Sequence, residues 1–286
     1  MIILPGENRS RIVGPQRDSR AVPPEHSHSS GKRQVEQVDW LRMLFDNASM
    51  VNKRHILVTA GATRQKIDEV RDWGNIFTGQ TGLDLALAFL EMGDVTLLTS
   101  NQQHAEMYKG RSGLKIETFR SHEDLRELLA EQMTAAVVDV VAMTAAVSDY
   151  RPEGTYRIVS KKSEGTKEVW VVEDVSAGKG KSHFDEIAVR GVRTEKLVDL
   201  FRGTWNFKGV LIKFKLEVGI SEEELVKIAS ASRTVSGADL MVANTLTMAK
   251  PTTGEGAAYL IDDVSRTKVG RKKLAKQVVE WVRKRC

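Results

Sequence analysis

Blocks of apolar and polar positions alternate along the chain from Arg54 to the carboxyl end, and their periods predict alternating strands and helices. Strands are indicated by short continuous apolar runs, and helices by apolar residues spaced three and four positions apart. The predicted strands are HILVTA (55–60), DVTLLT (94–99), VDVVAMTAA (138–146), GVLIKF (209–214), DLMVANT (239–245) and AAYLIDD (257–263), with a further strand-like run, EVWVVEDV (168–175), inside a long polar stretch. The predicted helices are LDLALAFLEM (83–92), HEDLRELLAEQM (122–133), TEKLVDLF (194–201), SEEELVKIASAS (221–232) and the last segment, VGRKKLAKQVVEWVRKRC.

This order of elements predicts an α/β fold. Strands that alternate with helices over short connections form parallel sheets with right-handed crossovers, and helices then cover both faces. We therefore expect a Rossmann-like, mostly parallel sheet with helices on both faces. In open sheets of this kind, ligands lie beyond the carboxyl ends of the strands, so the residues that follow each strand are the place to look for function.

Local signals support two of the helices. Ser121 is a plausible N-cap, with Asp124 in the first turn. In the last segment, Leu274, Val278 and Trp281/Val282 share one face of a helix, while the basic residues occupy the other. A solvated basic face on a docked helix explains this pattern. A nucleic-acid or membrane patch is the alternative, but aromatic residues do not interleave with the basic ones as a strand-binding groove requires.

The first fifty residues differ from the rest of the chain. Residues 1–33 hold four of the six prolines and a His-Ser-His-Ser-Ser run, with little apolar content. Such a segment cannot offset the entropy of ordering itself, so we predict a disordered tail. Residues 34–50 contain apolar positions suited to a docking helix, and residues 51–286 are predicted to form a single Rossmann-like domain.

Composition narrows the class of protein. The chain has 286 residues, is 41% hydrophobic and carries a net charge of +5. Its longest apolar runs are too short to span a bilayer, and its start lacks a signal-peptide pattern. The one cysteine, Cys286, leaves no intramolecular disulfide and no cysteine metal cage. We expect a cytoplasmic protein without a membrane partner.

The turns after the predicted strands hold glycines and small polar residues. Gly61 follows the first strand, and Gly79 and Gly82 lie at the start of the following helix. Glycines let a ligand approach the main chain, whose free N–H groups at a helix start can hold an anion. On its own this signal is weak, because neither GxGxxG after the first strand nor GxxxxGK[ST] is present.

The motifs taken together resemble a known family. Four motifs follow one another along the chain: TAGATRQKIDEVR with an asparagine four residues later, AAVSDYRP, FKLE and VANTL. This series is similar to that of the phosphopantothenate–cysteine ligases of coenzyme A biosynthesis. The resemblance covers about residues 54–285, and FKLE with a later VAN looks especially like the form without a fused flavin-dependent decarboxylase. It implies that cysteine is joined to 4'-phosphopantothenate through an acyl-nucleotide made from a nucleoside triphosphate, with release of pyrophosphate. It also implies a homodimer and a flap after the third strand.

The resemblance assigns roles to individual residues. Asn75 matches the asparagine that contacts phosphopantothenate and assists conversion of the acyl-nucleotide, and Arg71 matches an arginine that reaches the pantothenate phosphate from the neighbouring subunit. The remaining substrate-binding positions are Ala145, Ala146 and Asp149, and the nucleotide-binding positions are Gly61, Thr78, Gly79, Gly82, Phe214 and Asn244.

Three departures from the family pattern leave questions open. Phe77-Thr78-Gly79 replaces Ser-Ser-Gly. The flap lysine is replaced by Arg157, with Lys161 four residues on as the other candidate for the catalytic cation. Ser232 and Ser236 stand where bacterial members that use CTP carry lysines, so the nucleotide is either CTP or ATP. We expect Mg²⁺ with the triphosphate, without metal-binding side chains that can be named.

Two other functions have to be considered. A short-chain NAD(P)H oxidoreductase would need a Tyr-x-x-x-Lys pair, and none of the tyrosines has lysine at the fourth position after it. A diverged, non-catalytic nucleotide-binding protein, or one associated with nucleic acid, is suggested by the basic end and the altered flap. Salt-steep nucleic-acid binding without pyrophosphate release would favour that alternative.

Overall fold

The computed structural model describes residues 53–176, 183–249 and 254–286. The predicted tail (1–33) and docking helix (34–50) lie outside these residues. The strands are β1 (Arg54–Ala60), β2 (Arg64–Lys66), β3 (Asp72–Gly74), β4 (Gly93–Thr99), β5 (Leu114–Thr118), β6 (Val140–Met143), β7 (Tyr150–Glu164), β8 (Lys167–Asp174), β9 (Ile187–Arg193), β10 (Val210–Glu217), β11 (Leu240–Thr245), β12 (Ala257–Ile261) and β13 (Arg266–Gly270). The helices are α1 (Gln80–Phe89), α2 (Gln102–Met107), α3 (His122–Ala135), α4 (Leu197–Leu200), α5 (Glu222–Ser236), α6 (Leu246–Ala249) and α7 (Arg271–Arg283).

The centre of the fold is an eight-stranded sheet in the order β13-β12-β11-β10-β6-β1-β4-β5. The six strands from β11 to β5 pair in parallel, and β12 and β13 add an antiparallel edge. Apolar residues on both faces of the parallel strands explain their continuous hydrophobic runs. The predicted α/β, Rossmann-like fold with a mostly parallel sheet is therefore confirmed.

Helices cover both faces of this sheet. Helices α1 and α7 pack on the face that carries Ile56 and Val58. The opposite face carries Leu57, where α3 and α4 pack. The alternation of side chains along a strand explains how neighbouring residues of β1 reach the two separate cores. Helix α5 packs on Met241 and Ala243 of β11.

The helix termini follow the local signals in part. Ser121 and Asp124 form a capping box at the start of α3, as the sequence predicts. Leu274, Val278 and Val282 are buried, so α7 is docked through its apolar face. The prediction placed residues 269 and 270 in this helix, but they end β13, whose antiparallel pairing with β12 outweighs the helical pattern. Helix α1 begins at Gln80, three residues before the predicted start, because Gly79 supplies a left-handed N-cap.

Several short elements have no clear sequence signal. These are the edge strand β5, the hairpin β2–β3 and the six-residue helix α2. Each of these elements has at most six residues, which is too few for a strand or helix period to be read with certainty from the sequence. Following β6 and its loop, β8, β7 and β9 form a separate three-stranded antiparallel sheet, which we call the flap.

Of the helices that the structure describes, none combines the length and apolar character that a membrane crossing requires.

Candidate functional site

The candidate site lies beyond the carboxyl ends of the central strands β1 and β6, where the order of the strands reverses direction. From β1 the chain runs through α1 to β4 on one side, whereas β6 lies on the other side of β1 and is reached through α3. This arrangement opens a crevice at the carboxyl ends of β1 and β6. The two strand ends are joined by backbone hydrogen bonds, with Ala146 N donating to Gly61 O at 2.9 Å and Thr63 N donating to Ala146 O at 3.2 Å.

The three glycines of the predicted nucleotide turn are required by close packing. Gly79 has φ +85°, and a Cβ there would lie 2.4 Å from the nitrogen of Gly61. A Cβ on Gly82 would lie 2.4 Å from Thr144 Oγ1 and 2.7 Å from Ala60 Cβ. The turn before α1 therefore rests directly on the ends of β1 and β6. The same glycines that could admit an anion also hold the crevice together.

A cavity of about 300 Å³, the first cavity, opens above this turn. Its lining includes all six residues that the resemblance assigns to the nucleotide: Gly61, Thr78, Gly79, Gly82, Phe214 and Asn244. Ala145 and Ala146 also line it. The volume of this cavity is at the lower end of the range for small-molecule sites, and its lining is mostly apolar. Both properties are typical of ligand pockets.

A second cavity of about 210 Å³ adjoins the first. Both share the residues Ala145, Ala146, Phe214 and Lys215. The second cavity is the more polar, and the charged residues and serines of its lining are Asp149, Glu195, Lys196, Lys213, Lys215, Ser148 and Ser232. A third, smaller cavity between α1 and α7 also contacts Phe214. Phe214 thus lies at the junction of all three.

Asn75 contacts the wall of the site from outside the two main cavities. Its Nδ2 donates to the backbone oxygen of Ala146 at 3.2 Å. It stands directly after the hairpin β2–β3 and before Ile76, which lines the first cavity. The structure therefore brings Asn75 to the loop that carries the two alanines predicted to bind substrate. Asp149 lies further along this loop, in the lining of the second cavity, and its carboxylate is 3.8 Å from Lys196 Nζ.

Two predicted binding residues have partners within the chain. Arg71 lies in the turn of the hairpin β2–β3, where its Nε donates to Asp68 Oδ2 at 2.9 Å, and it lines neither main cavity. Asn244, at the end of β11, donates from its amide to Thr245 O at 3.1 Å while lining the first cavity. Asn244 is thus placed for contact with a ligand, whereas Arg71 is exposed on the surface.

The two candidate flap cations lie on opposite faces of the flap. Arg157 pairs in register with Glu173, and Lys161 pairs with Trp170. Glu173 and Trp170 are three residues apart on one strand, so their side chains point to opposite sides. A bulge between Ile158 and Ser160 produces this inversion. Only one of the two cations can therefore face the crevice when the flap lies over it.

Each of these cations has an acidic neighbour on the flap. Arg157 Nη1 is 3.7 Å from Glu173 Oε2, and Lys161 Nζ is 2.5 Å from Glu186 Oε1. The hydrogen bond to Glu186 raises the pKa of Lys161. Neither cation lines the two main cavities in this conformation. Their assignment as catalytic groups stays a prediction.

Arg271, at the start of α7, is a residue of the site that the sequence reasoning missed. It lines the first cavity and donates from Nη2 to Thr81 Oγ1 at 2.9 Å. The sequence presents it as one of seven basic residues in the predicted terminal helix segment. Its place in the site depends on the end of β13 at Gly270 and on the packing that sets the start of α7 beside α1.

A buried histidine supports the turn from below. The amide of Asn101 donates both to Thr78 O, at 3.1 Å, and to His104 Nε2, at 3.1 Å, while its oxygen accepts from Gln103 N. Burial lowers the pKa of His104, and the nearby carboxylate of Asp84 opposes this shift. A neutral ring is what the contact with Asn101 requires, because Nε2 has to accept. His104 thereby orients the residue that holds Thr78.

Comparisons with known proteins find relatives of this chain in coenzyme A biosynthesis. Residues 51–175 match the family model described as DNA/pantothenate metabolism flavoprotein C-terminal domain. The chain is 31% identical over 199 residues to the coenzyme A biosynthesis bifunctional protein CoaBC of Thermococcus kodakarensis, covering 69% of this chain and 42% of that protein. It is 30% identical over 213 residues to CoaBC of Mycobacterium tuberculosis H37Rv, covering 73% and 44%. The matched part thus spans less than half the length of these relatives.

Solved structures show the same fold. The DNA/pantothenate metabolism flavoprotein from Streptococcus pneumoniae aligns with a TM-score of 0.66 at 24% identity, covering 82% of this chain and all of that one. A Cab2 mutant in complex with phosphopantothenate-cysteine aligns with a TM-score of 0.57 at 13% identity, covering 87% and 92%. At these identities the likeness establishes the architecture.

Proposed function

Since residues 51–175 belong to the family of DNA/pantothenate metabolism flavoprotein C-terminal domains, we propose that this chain joins cysteine to 4'-phosphopantothenate in cytoplasmic coenzyme A biosynthesis. The observation that carries the proposal is the first cavity, whose lining brings together all six predicted nucleotide-binding residues from four separate segments of the chain. Asn75 adds to it by its contact with the loop of Ala145 and Ala146.

The reaction needs activation of an acid. A carboxylate does not accept an amine at neutral pH, because oxide is a very poor leaving group. A carboxylate oxygen attacks the α-phosphorus of the nucleoside triphosphate, the bond from that phosphorus to pyrophosphate breaks, and the nucleotidyl group stays on the acid as an acyl-nucleotide. The amine of cysteine then attacks the acyl carbon, the nucleoside monophosphate leaves, and the amine proton passes to solvent or a nearby base. Catalysis of these steps requires positive charge near the phosphoryl group and donors for the acyl oxygen.

The first cavity suits the nucleotide. The turn at Thr78 and Gly79 precedes α1, whose first N–H groups face a ligand at this end of the helix. Phe214 offers a ring for contact with the base or sugar, and Asn244 offers an amide. Arg271 places a permanent cation in the same lining.

The acid is proposed to bind across the junction of the two cavities. Ala145 and Ala146 leave room for the pantoyl group because they are small, and Asp149 can accept from a hydroxyl or amide hydrogen. Asn75 would then donate to the acyl oxygen beside this loop. Arg71, exposed on its hairpin, is proposed to reach the pantothenate phosphate of a partner subunit in a homodimer.

The cation for the phosphoryl step is proposed to come from the flap. Arg157 is the aligned candidate and Lys161 the alternative, and their opposite orientations make the two assignments mutually exclusive. Mg²⁺ is expected to arrive with the triphosphate. Among the described residues no cluster of three or more acidic, histidine or cysteine side chains could hold a metal alone.

The decisive experiment is incubation of the full chain with phosphopantothenate, cysteine and either ATP or CTP, following pyrophosphate and the ligated product. Pyrophosphate release that depends on phosphopantothenate, with one nucleotide preferred, supports the proposal and identifies the nucleotide. Nucleotide binding without pyrophosphate release would instead favour the diverged, non-catalytic alternative.

A further inference from the structure

Lys213 is a lysine on β10 that the proposed reaction does not use. Its neighbours Ile212 and Phe214 contribute to the core beneath α1 and α7, so its own side chain leaves the opposite face of the strand. There it lines the second cavity, and its Nζ donates to the backbone oxygen of Ser232 on α5 at 3.2 Å. The ammonium group is thus held between the sheet and a helix at the wall of the cavity.

The positive charge of Lys213 is not matched by a close anion. Two other lysines of the same lining have one, with Lys196 at 3.8 Å from Asp149 and Lys215 at 2.9 Å from Glu217. Within the part of the chain that the structure describes, no carboxylate oxygen lies within 4 Å of Lys213 Nζ. An ammonium group has three donors, and the one hydrogen bond to Ser232 leaves capacity for more.

The surroundings of Lys213 disfavour the charged form of its ammonium group when no anion is bound beside it. Burial lowers the pKa of Lys213, the carboxylate of Asp199 on α4 opposes that shift, and the ammonium groups of Lys196 and Lys215 reinforce it. A partly desolvated ammonium group gains from an anion that enters its cavity, because the anion replaces the lost solvation. Glu195 and Asp149, the carboxylates in the lining, face Arg126 and Lys196 instead.

We propose that Lys213 binds a phosphate oxygen of a substrate in the second cavity. Three lysines, two serines and the carboxylates of Asp149 and Glu195 line the space, and a phosphate oxygen there would accept from the remaining donors of Lys213. The proposed anion site is argued from the cavity and from the uncompensated charge of Lys213, and it does not depend on the proposed reaction. Which phosphate enters it rests on the proposed function, since the nucleotide and phosphopantothenate both carry one.

The first test measures Lys213 directly and does not require turnover. The full chain is labelled with acetic anhydride over a series of pH values, and modification of each lysine is quantified by peptide mass spectrometry. Inorganic pyrophosphate, ATP, CTP or phosphopantothenate is added in separate arms. We expect at least one of these anions to reduce labelling of Lys213 at neutral pH fivefold or more and to raise its apparent pKa. Labelling of Lys213 that is unchanged in every arm overturns the inference.

The second test uses variants with matched controls. Lys213→Met removes the charge with little loss of length, Lys213→Arg retains it, and Lys227→Met changes an exposed lysine on α5 that lines neither main cavity. Calorimetric titration should show affinity for the protecting anion falling about tenfold or more in Lys213→Met only, with a flatter dependence on salt. Equal affinities in Lys213→Met and Lys227→Met contradict the proposal, and circular dichroism confirms that each variant is folded.

The two proposals fail in different ways. If the wild-type chain forms no ligated product but pyrophosphate still protects Lys213, the anion site stands and the proposed reaction is wrong. If the chain ligates phosphopantothenate and cysteine while no anion protects Lys213, the reaction stands and the site is wrong. Protection by ATP or CTP alone assigns the site to the nucleotide, and protection by phosphopantothenate alone assigns it to the acid.

Discussion

Asn75 Nδ2 donates to the backbone oxygen of Ala146 at 3.2 Å, which fastens the segment after the hairpin β2–β3 to the loop between the two cavities. The contact bridges residues 71 positions apart in the chain. If the side-chain amide of Asn75 rotated, its Nδ2 could donate to a ligand oxygen in place of the backbone oxygen of Ala146. The hydrogen bond therefore holds Asn75 beside the loop at which the proposed reaction would take place.

Replacing this amide should separate the two half-reactions. For Asn75→Ala we expect nucleotide-dependent activation to persist and formation of the ligated product to slow by about 100-fold, as when one donor to a developing oxyanion is lost. Single-turnover measurement of pyrophosphate and product distinguishes the steps. Gln102→Ala, an exposed amide on α2, serves as the control. An unchanged rate of product formation would show that Asn75 does not act at the acyl group.

The packing of Gly79 on Gly61 predicts a cost to stability. In Gly79→Ala the new methyl group meets backbone at 2.4 Å and the residue must keep φ at +85°, so we expect the free energy of unfolding to fall by about 2–4 kcal/mol. Gly110→Ala is the matched control, because its φ is +75° and no atom lies within 4 Å of the added Cβ. It should lose about 1 kcal/mol. Denaturant unfolding measures both, and equal losses would show that the turn can move away from β1.

The flap geometry predicts unequal roles for its two cations. If Arg157 acts on the phosphoryl group, Arg157→Ala should slow pyrophosphate release at least tenfold more than Lys161→Ala, because the bulge turns Lys161 to the other face. The reverse ranking would assign the role to Lys161. Pre-steady-state pyrophosphate release measures the difference. Equal and large effects would contradict the register, and no effect from either change would remove the flap from the mechanism.

His104 predicts a fall in stability at mildly acidic pH. Its pKa is lower in the folded chain than the usual value near 6.5, so the unfolded chain binds the proton more readily. The stabilisation of the folded chain by neutral His104 is therefore complete above about pH 6.5, and it is lost as the pH falls through the pKa of His104 in the folded chain. His104→Gln cannot titrate there, so its stability should change less between pH 7 and pH 5. Unfolding curves at several pH values test this, and parallel curves for the two proteins would contradict it.

Protonation of Asp262 is expected to lower the free energy of unfolding in stronger acid. Burial raises the pKa of Asp262, but hydrogen bonds from Trp281, Val264 and Ser265 outweigh this effect and bring it to about 2. Its carboxylate also lies 2.8 Å from Arg285 Nη2, which ties the end of α7 to the turn after β12. The stabilisation, about 2 kcal/mol, is present above about pH 4 and is lost as the pH falls toward 2.

The difference in unfolding free energy between wild type and Asp262→Asn measures this contribution. We expect the difference to be largest near neutral pH and to shrink between pH 4 and pH 2. Asp94→Asn, in which the lost carboxylate is 55% exposed beside Lys53, should cost less than about 1 kcal/mol. A wild-type advantage over Asp262→Asn that does not vary with pH would contradict the assignment.

The sequence allowed the central fold to be predicted because the parallel strands are buried on both faces and read as apolar runs. Strand β5 was missed since only Leu114 and Ile116 are apolar in an edge strand. Gly61, Gly79 and Gly82 were found through their motif, but their contact with one another depends on positions that become adjacent only in the sheet. Arg271 and Lys213 carry no local signal, because each owes its place in the site to packing between distant elements.

The wall that the two cavities have in common is made partly of Ala145 and Ala146, which place no bulk between the chambers. A single elongated molecule can therefore occupy both at once. A bisubstrate inhibitor, with a nucleoside head in one chamber and an anionic head in the other, would benefit from the high effective concentration that a short linker provides. Exchanging either alanine for a larger residue should abolish that advantage while leaving each separate head able to bind.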